Sequence, residues 1–212
     1  MKKIILLFVL FVGVCFGSQA QFLHAYGATL GITRATEIGW LSASDTPQKM
    51  KYRTGFNGSL FLEFFNHDVF TWVMEAQYNQ KGVRMLDEFG NVDFKHRTNY
   101  GSFNNFLKAR AEGIDINLYV LAGPRIEYLI SQNSTLPFNQ LHFSISGGVG
   151  CDFNYWEPII FFTEVHFNPD ITPSANVGRG QTIRNRALEL RIGIKKKIQS
   201  GRNRDVCPPV FL

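Results

Sequence analysis

Cysteine is scarce in this chain of 212 residues: only Cys15, Cys151 and Cys207 are present. That is too few for a disulfide scaffold, and no two of them have the paired spacing of a metal site. His24, His67 and His96 are scattered and form no ligand cluster. Charge of one sign is lacking as well. The formal net charge of +5 falls to +3 once Lys2 and Lys3 are set aside, an excess too small to suggest a nucleic-acid partner. The chain has a single long apolar run, residues 4–16, too short to cross a bilayer as a helix. No stretch keeps a helical period, and no internal repeat is found. The glycines of "GGVG" (147–150) lack the lysine and following helix of a phosphate loop, so they read as a place where a strand bends sharply. No cofactor or metal is expected.

What is present begins at the N-terminus. Lys2 and Lys3 precede the apolar run, and Ser18-Gln19-Ala20 supplies small residues for cleavage. Residues 1–20 therefore read as a secretory signal peptide. A lipid attachment at Cys15 is disfavoured, because Val14 is bulkier than the residue that normally precedes such a cysteine.

Beyond it, period two dominates. In "WVMEAQYNQKG" (72–82), Trp72, Met74, Ala76 and Tyr78 share one face, while Glu75, Gln77, Asn79 and Lys81 share the other. Reading the whole chain this way gives eight strands, at about 25–35, 54–65, 69–82, 103–112, 114–130, 140–153, 159–168 and 184–197. Most have ten or more residues, the length a tilted strand needs to cross an outer membrane and longer than strands of soluble domains.

Loop lengths alternate. "NHD", about two residues near 113, and "NYWEP" are short; "TEIGWLSASDTPQKMKYR", residues 83–102, "SQNSTLPFN" and "NPDITPSANVGRGQTI" are long. Short periplasmic turns against long external loops are the membrane-barrel pattern. Phe64, Phe65, Phe70, Trp72, Phe153, Tyr155 and Trp156 fall at the short-turn rim, with Tyr78, Tyr128, Phe138 and Phe167 near the opposite one, as two aromatic girdles would. The expected fold is all-β: an eight-stranded antiparallel up-and-down transmembrane β-barrel in the outer membrane. It would occupy residues 21–198, with a periplasmic tail at 199–212. The competing class is a soluble lipocalin-like carrier, with the alternation reversed and an apolar cavity.

With the apolar face outward, the fifth strand sends Ile114, Ile116, Leu118, Val120 and Ala122 to lipid. The eighth sends Leu188, Leu190, Ile192 and Ile194. Pro124 should interrupt the ladder by a bulge or local break, since it has no N–H to donate.

Four segments carry a family likeness: "YVLAGPRIEYLI" (119–130), "FSISGGVGCDF" (143–153), "FFTEVHFNPDIT" (161–172) and "NRALELRIGI" (185–194). The chain resembles the PorT-like outer-membrane β-barrel proteins across residues 25–198. The resemblance implies an eight-stranded barrel of mostly unassigned function, some of whose relatives belong to the type IX secretion apparatus. The fourth strand, "FNNFLKARAE", is less apolar than that pattern, and the tail runs past the eighth strand.

The inward positions collect Glu63, Glu75, Glu127, Glu164 and Glu189 with Lys108, Arg110, Arg125 and Arg191. An eight-stranded barrel has room only for its own side chains, so these charges should pair as a structural plug. The enzymatic alternative sets His142 and Ser144 against Glu164 and His166 on the next strand, a set that could hydrolyse a lipid ester if the four converged. Lys195, Lys196 and Lys197 read as a solvated strand end rather than an anion site. A Cys151–Cys207 disulfide on the periplasmic side is the alternative to two free thiols. The functional reading is a monomeric barrel in contact with outer-membrane lipid, which binds, anchors or assembles through its external loops. Other envelope or secretion-system proteins are its candidate partners.

Overall fold

The computed structural model describes residues 23–38, 49–65, 69–86, 92–111, 113, 115–133, 138–156, 158–176 and 182–198. The segments read from sequence as a signal peptide and a tail, and with them Cys207, lie outside the described residues.

Alternating sequence becomes strand throughout: β1 (Leu23–Ile38), β2 (Lys49–Phe64), β3 (Phe70–Lys81), β4 (Val83–Leu86), β5 (Val92–Lys95), β6 (Thr98–Ala111), β7 (Ile116–Gln132), β8 (Leu141–Trp156), β9 (Ile159–Pro169), β10 (Ala175–Asn176) and β11 (Thr182–Lys197). The long strands pair antiparallel in the order β1, β11, β9, β8, β7, β6, β3, β2, and β2 pairs back onto β1. That last ladder closes the sheet into an eight-stranded barrel with no free edge, the one way a sheet can satisfy its backbone in lipid. β4, β5 and β10 are extra pieces at the long-loop end.

Side-chain parity fixes what each surface is made of. On β7, Ile116, Leu118, Val120, Ile126, Tyr128 and Ile130 are exposed, while Asn117, Tyr119, Leu121, Arg125 and Glu127 are buried. β11 repeats the choice with Leu188, Leu190, Ile192 and Ile194 outside and Glu189, Arg191 and Lys195 inside. Apolar residues outside and charges inside are the reverse of a lipocalin, so the soluble-carrier alternative is overturned.

The interior is not uniformly polar. Phe61, Val73, Phe106, Tyr119, Leu121 and Phe162 form a buried apolar layer toward the short-turn end. Three of its rings lie over a glycine on the neighbouring strand, with Phe61 paired to Gly27, Tyr119 to Gly150 and Phe162 to Gly193. A Cβ on Gly193 would meet the Phe162 ring at 2.2 Å. Gly150 of the "GGVG" run thus seats a ring, besides any help it gives to bending.

Two expectations need correction. Residues 83–102 are not one loop: β2 extends outward to pair with β4, β4 pairs with β5, and β6 starts at Thr98 rather than 103. Gly82, at φ 139°, makes the bend from β3 into β4, and a Cβ there would strike the His96 carbonyl oxygen. Phe138 does not face lipid. It is buried with Ala175 and Ile183 at the long-loop mouth, its ring 4.7 Å from that of His96. Of the two outcomes expected at Pro124 the structure has the local break: the β6–β7 ladder lacks pairs at Gly123 and Pro124 and resumes without a register shift.

Candidate functional site

Eight long strands aim their inward side chains at one axis, so residues distant in sequence meet there. Toward the short-turn end, Lys108 Nζ lies 3.0 Å from Glu63 and 3.6 Å from the Tyr119 ring centroid. Lys195 Nζ lies 2.6 Å from Asp152 and 3.3 Å from Glu63. Lys195 is buried and central to this group, which corrects its reading as a solvated end; Lys196, on the other parity, is exposed.

Above the apolar layer Arg191 spans Glu75, at 3.0 Å, and Glu189. Glu189 also pairs with Arg125 at 3.1 Å and accepts hydrogen bonds from Gln77 and Asn168, at 2.9 and 2.6 Å, and from Asn79. Higher still, Glu127 receives Lys81 at 2.7 Å, Arg125, and His142 at 2.8 Å. Asp170 binds Ser174 and Asn185, whose amide Nδ2 lies 2.9 Å away. At the mouth His96 Nδ1 lies 2.9 Å from Glu37, and Arg53 donates to the His96 carbonyl at 2.7 Å.

Eight of the nine expected lumen residues are thus brought together along one axis: Glu63, Glu75, Lys108, Arg125, Glu127, Glu164, Glu189 and Arg191. Arg110 is not; it is half-buried near the rim, its guanidinium 3.4 Å from the Thr71 hydroxyl. The set of nine omitted Glu37, Lys81, Asp152, Asp170 and Lys195, all buried. Parity marked Lys81 as inward in the "WVMEAQYNQKG" stretch, and the same rule applied past the apolar centre of β8 and β11 finds Asp152 and Lys195.

The four residues of the hydrolase alternative do not converge. His142 goes to Glu127, while His166 Nε2 lies 2.9 Å from Glu164 and its Nδ1 lies 3.3 Å from Ser146, not Ser144. Tyr119 donates to the other Glu164 oxygen at 2.7 Å. The Ser146–His166–Glu164 line resembles a relay, but all three are buried, and the cavity bounded by Phe61, Glu63, Glu75, Phe106, Phe162 and Glu164 measures about 10 Å³, room for roughly one water and not for an ester. Glu127, His142 and Asp170 offer ligand atoms within 4.8 Å of one another. Lys81 and Arg125 already lie against Glu127, so a cation entering there would meet two positive side chains, and the group reads as an ion-pair node.

A closed barrel with a filled, charged interior, an aliphatic exterior and elaborated loops at one end agrees with the family whose sequence model matches residues 19–176, described as outer membrane protein beta-barrel domain. The chain belongs to this family. It lies in the outer membrane, with the short turns on the periplasmic side by the family pattern. No curated protein matches it. Among solved structures, the outer membrane protein OprG from Pseudomonas aeruginosa is similar at 12% identity and TM-score 0.58, over 85% of this chain and 99% of that one. Neisserial surface protein A (NspA) follows at 11% and 0.53, over 82% and 97%. The outer membrane protein AlkL, determined in lipid bilayers, gives 9% and 0.54, over 89% and 96%. At these identities the likeness concerns the fold alone.

Proposed function

We propose that this barrel is a monomeric binding and anchoring component of the outer membrane, which holds a partner protein of the envelope through its long-loop end and performs no catalytic step in its interior. One observation carries the reading: among the described residues the interior narrows at its apolar layer to a cavity of about 10 Å³, whereas the long-loop end carries structure that barrel closure does not need. That structure comprises the β2–β4–β5 extension and the cap at 170–176, held by backbone bonds such as Ile171 to Phe143 and Ser174 to Ile183. Investment in an outer rim over a plugged lumen suits recognition rather than transport.

The test is affinity capture of the tagged chain from native outer membranes, beside a variant in which residues 84–95 are replaced by Asn-Gly. Partners retained by the wild type and lost by the variant support the reading. An identical set from both would sink it. Within the family we place the chain with the PorT-like proteins, on the strength of the segments at 119–130, 143–153, 161–172 and 185–194. That finer reading expects type IX secretion components among the captured proteins.

A further inference from the structure

On β11 the outward face changes character abruptly at one level, and on β1 an arginine enters the outward face at the same level, with Thr36 and the exposed Ile38 beyond it. Going toward the long-loop end, β11 presents Ile194, Ile192, Leu190 and Leu188 and then Arg186 and Arg184; β1 presents Leu30 and Ile32 and then Arg34. The register sets Arg34 opposite Leu188, Thr36 opposite Arg186 and Ile38 opposite Arg184. Arg34 and Arg186 are therefore diagonal neighbours on adjacent strands, about 7–8 Å apart at Cα. Arg184 is two residues along the same face. All three arginines are exposed, and among the described residues none lies within ion-pair distance of a carboxylate. Glu37, between them on β1, points inward and is buried. Arg34 stands over the Tyr52 ring with its guanidinium carbon 5.5 Å from the centroid, which orients the fork.

The level of this cluster follows from strand geometry. Arg186 and Lys196 bracket the outward apolar run of β11, and about ten residues at roughly 3.3 Å each on a strand tilted about 40° climb about 25 Å, the height of the lipid-facing band. Lys196 thus marks the inner headgroup level and Arg186 the outer one. Three like charges on one small area repel one another, and a multiply charged oxyanion placed among them relieves this.

We propose that Arg34, Arg184 and Arg186 bind the phosphate groups of an outer-leaflet lipid, whose acyl chains lie along Leu30, Ile32, Leu188 and Leu190 immediately below. The site depends on the outer-membrane placement but not on what the loops recognise. It takes a phosphate attached to acyl chains, because the aliphatic residues begin one side-chain row beneath the guanidinium groups. A free anion would use only half of it.

The experiment uses the full chain purified into phosphatidylcholine micelles or nanodiscs, titrated with diphosphoryl lipid A and read by native mass spectrometry. The wild type is expected to retain lipid A over phosphatidylcholine, and the triple variant Arg34→Gln, Arg184→Gln, Arg186→Gln to lose at least about tenfold in retention, given the usual contribution of each basic residue at a membrane surface. Lys51→Gln with Lys95→Gln, which removes charge from the external extension instead, should leave retention unchanged. Folding is checked by the gel-mobility shift on boiling, and Arg186→Gln alone, expected to weaken retention about threefold, serves if the triple variant does not assemble. Undiminished retention by the triple variant, no preference over phosphatidylcholine, or displacement of lipid A by millimolar inorganic phosphate would each overturn the proposal, the last by showing a free-anion site.

Discussion

Glu189 shows how the interior is held, because five side chains from five other strand positions converge on one carboxylate: Gln77, Asn79, Arg125, Asn168 and Arg191. Removing it leaves Arg125 with Glu127 alone and Arg191 with Glu75 alone, both fully buried in the barrel interior. Breaking one partner out of a buried network costs about 3–5 kcal/mol, so Glu189→Ala should lower the unfolding free energy by that order. Glu189→Gln, which keeps an acceptor but not the charge, should fall between it and wild type, and Lys196→Gln on the exposed face should stay within about 0.5 kcal/mol. Urea unfolding in detergent, followed by the fraction that remains heat-modifiable on gels, measures all three. Equal stability of Glu189→Ala and wild type would mean that the network is incidental. A second residue-scale expectation concerns the ring seats: a side chain at Gly193 would collide with Phe162, so Gly193→Val should cost about 1–3 kcal/mol in the same assay. Parity made the inward identity of these residues legible, but not their partners. Glu189 and Gln77 are separated by 112 positions and meet only because the barrel is closed. Lys195 was misread because it sits in a basic triplet, where composition suggests water and parity alone says interior.

At the scale of elements, eight of the strands were legible because each carries a long two-residue alternation, and their boundaries moved mainly at the outer ends. Apolar pattern stops where lipid stops, while hydrogen bonding continues beyond it. β2 therefore starts at Lys49 and β6 at Thr98, earlier than the hydrophobic signal. β4 and β5 are four residues each, too short for alternation to be distinguished from loop, and they exist because the outer end of β2 offers them an edge. Phe138 was placed in the lipid girdle from its position in the chain, whereas the mouth buries it against Ala175 and Ile183. These additions stand outside the eight-strand closure, and that has a consequence. His96 N already bonds to the Val83 carbonyl at 3.0 Å, so an Asn-Gly turn can join the two in place of residues 84–95. The shortened chain should keep its heat-modifiable mobility and its resistance to protease in detergent micelles. Failure of this variant to assemble would make the extension part of the folding unit.

For the whole molecule the decisive feature is the order of the interior layers. A lower cluster of Glu63, Lys108, Asp152 and Lys195 is separated from the upper clusters by the rings of Phe61, Phe106, Tyr119 and Phe162, with Phe61 and Phe162 in edge contact at 5.5 Å. An ion entering from either end meets charges that are already paired, then an apolar layer whose void holds roughly one water. Leaving the pairs unbroken, it would have to shed its hydration in that layer with nothing to replace it, which is strongly unfavourable. Purified wild-type protein in planar bilayers should therefore show no stable conductance. The double variant Phe61→Ala with Phe162→Ala removes two facing rings and leaves the ion pairs above and below in place, so it should admit water and raise the frequency of small, brief conductance events without creating a pore of porin size. Stable large channels from wild type would contradict the closed interior. Silence from the double variant would move the barrier from the aromatic layer to the ion pairs, and Arg191→Gln would then be the variant expected to leak.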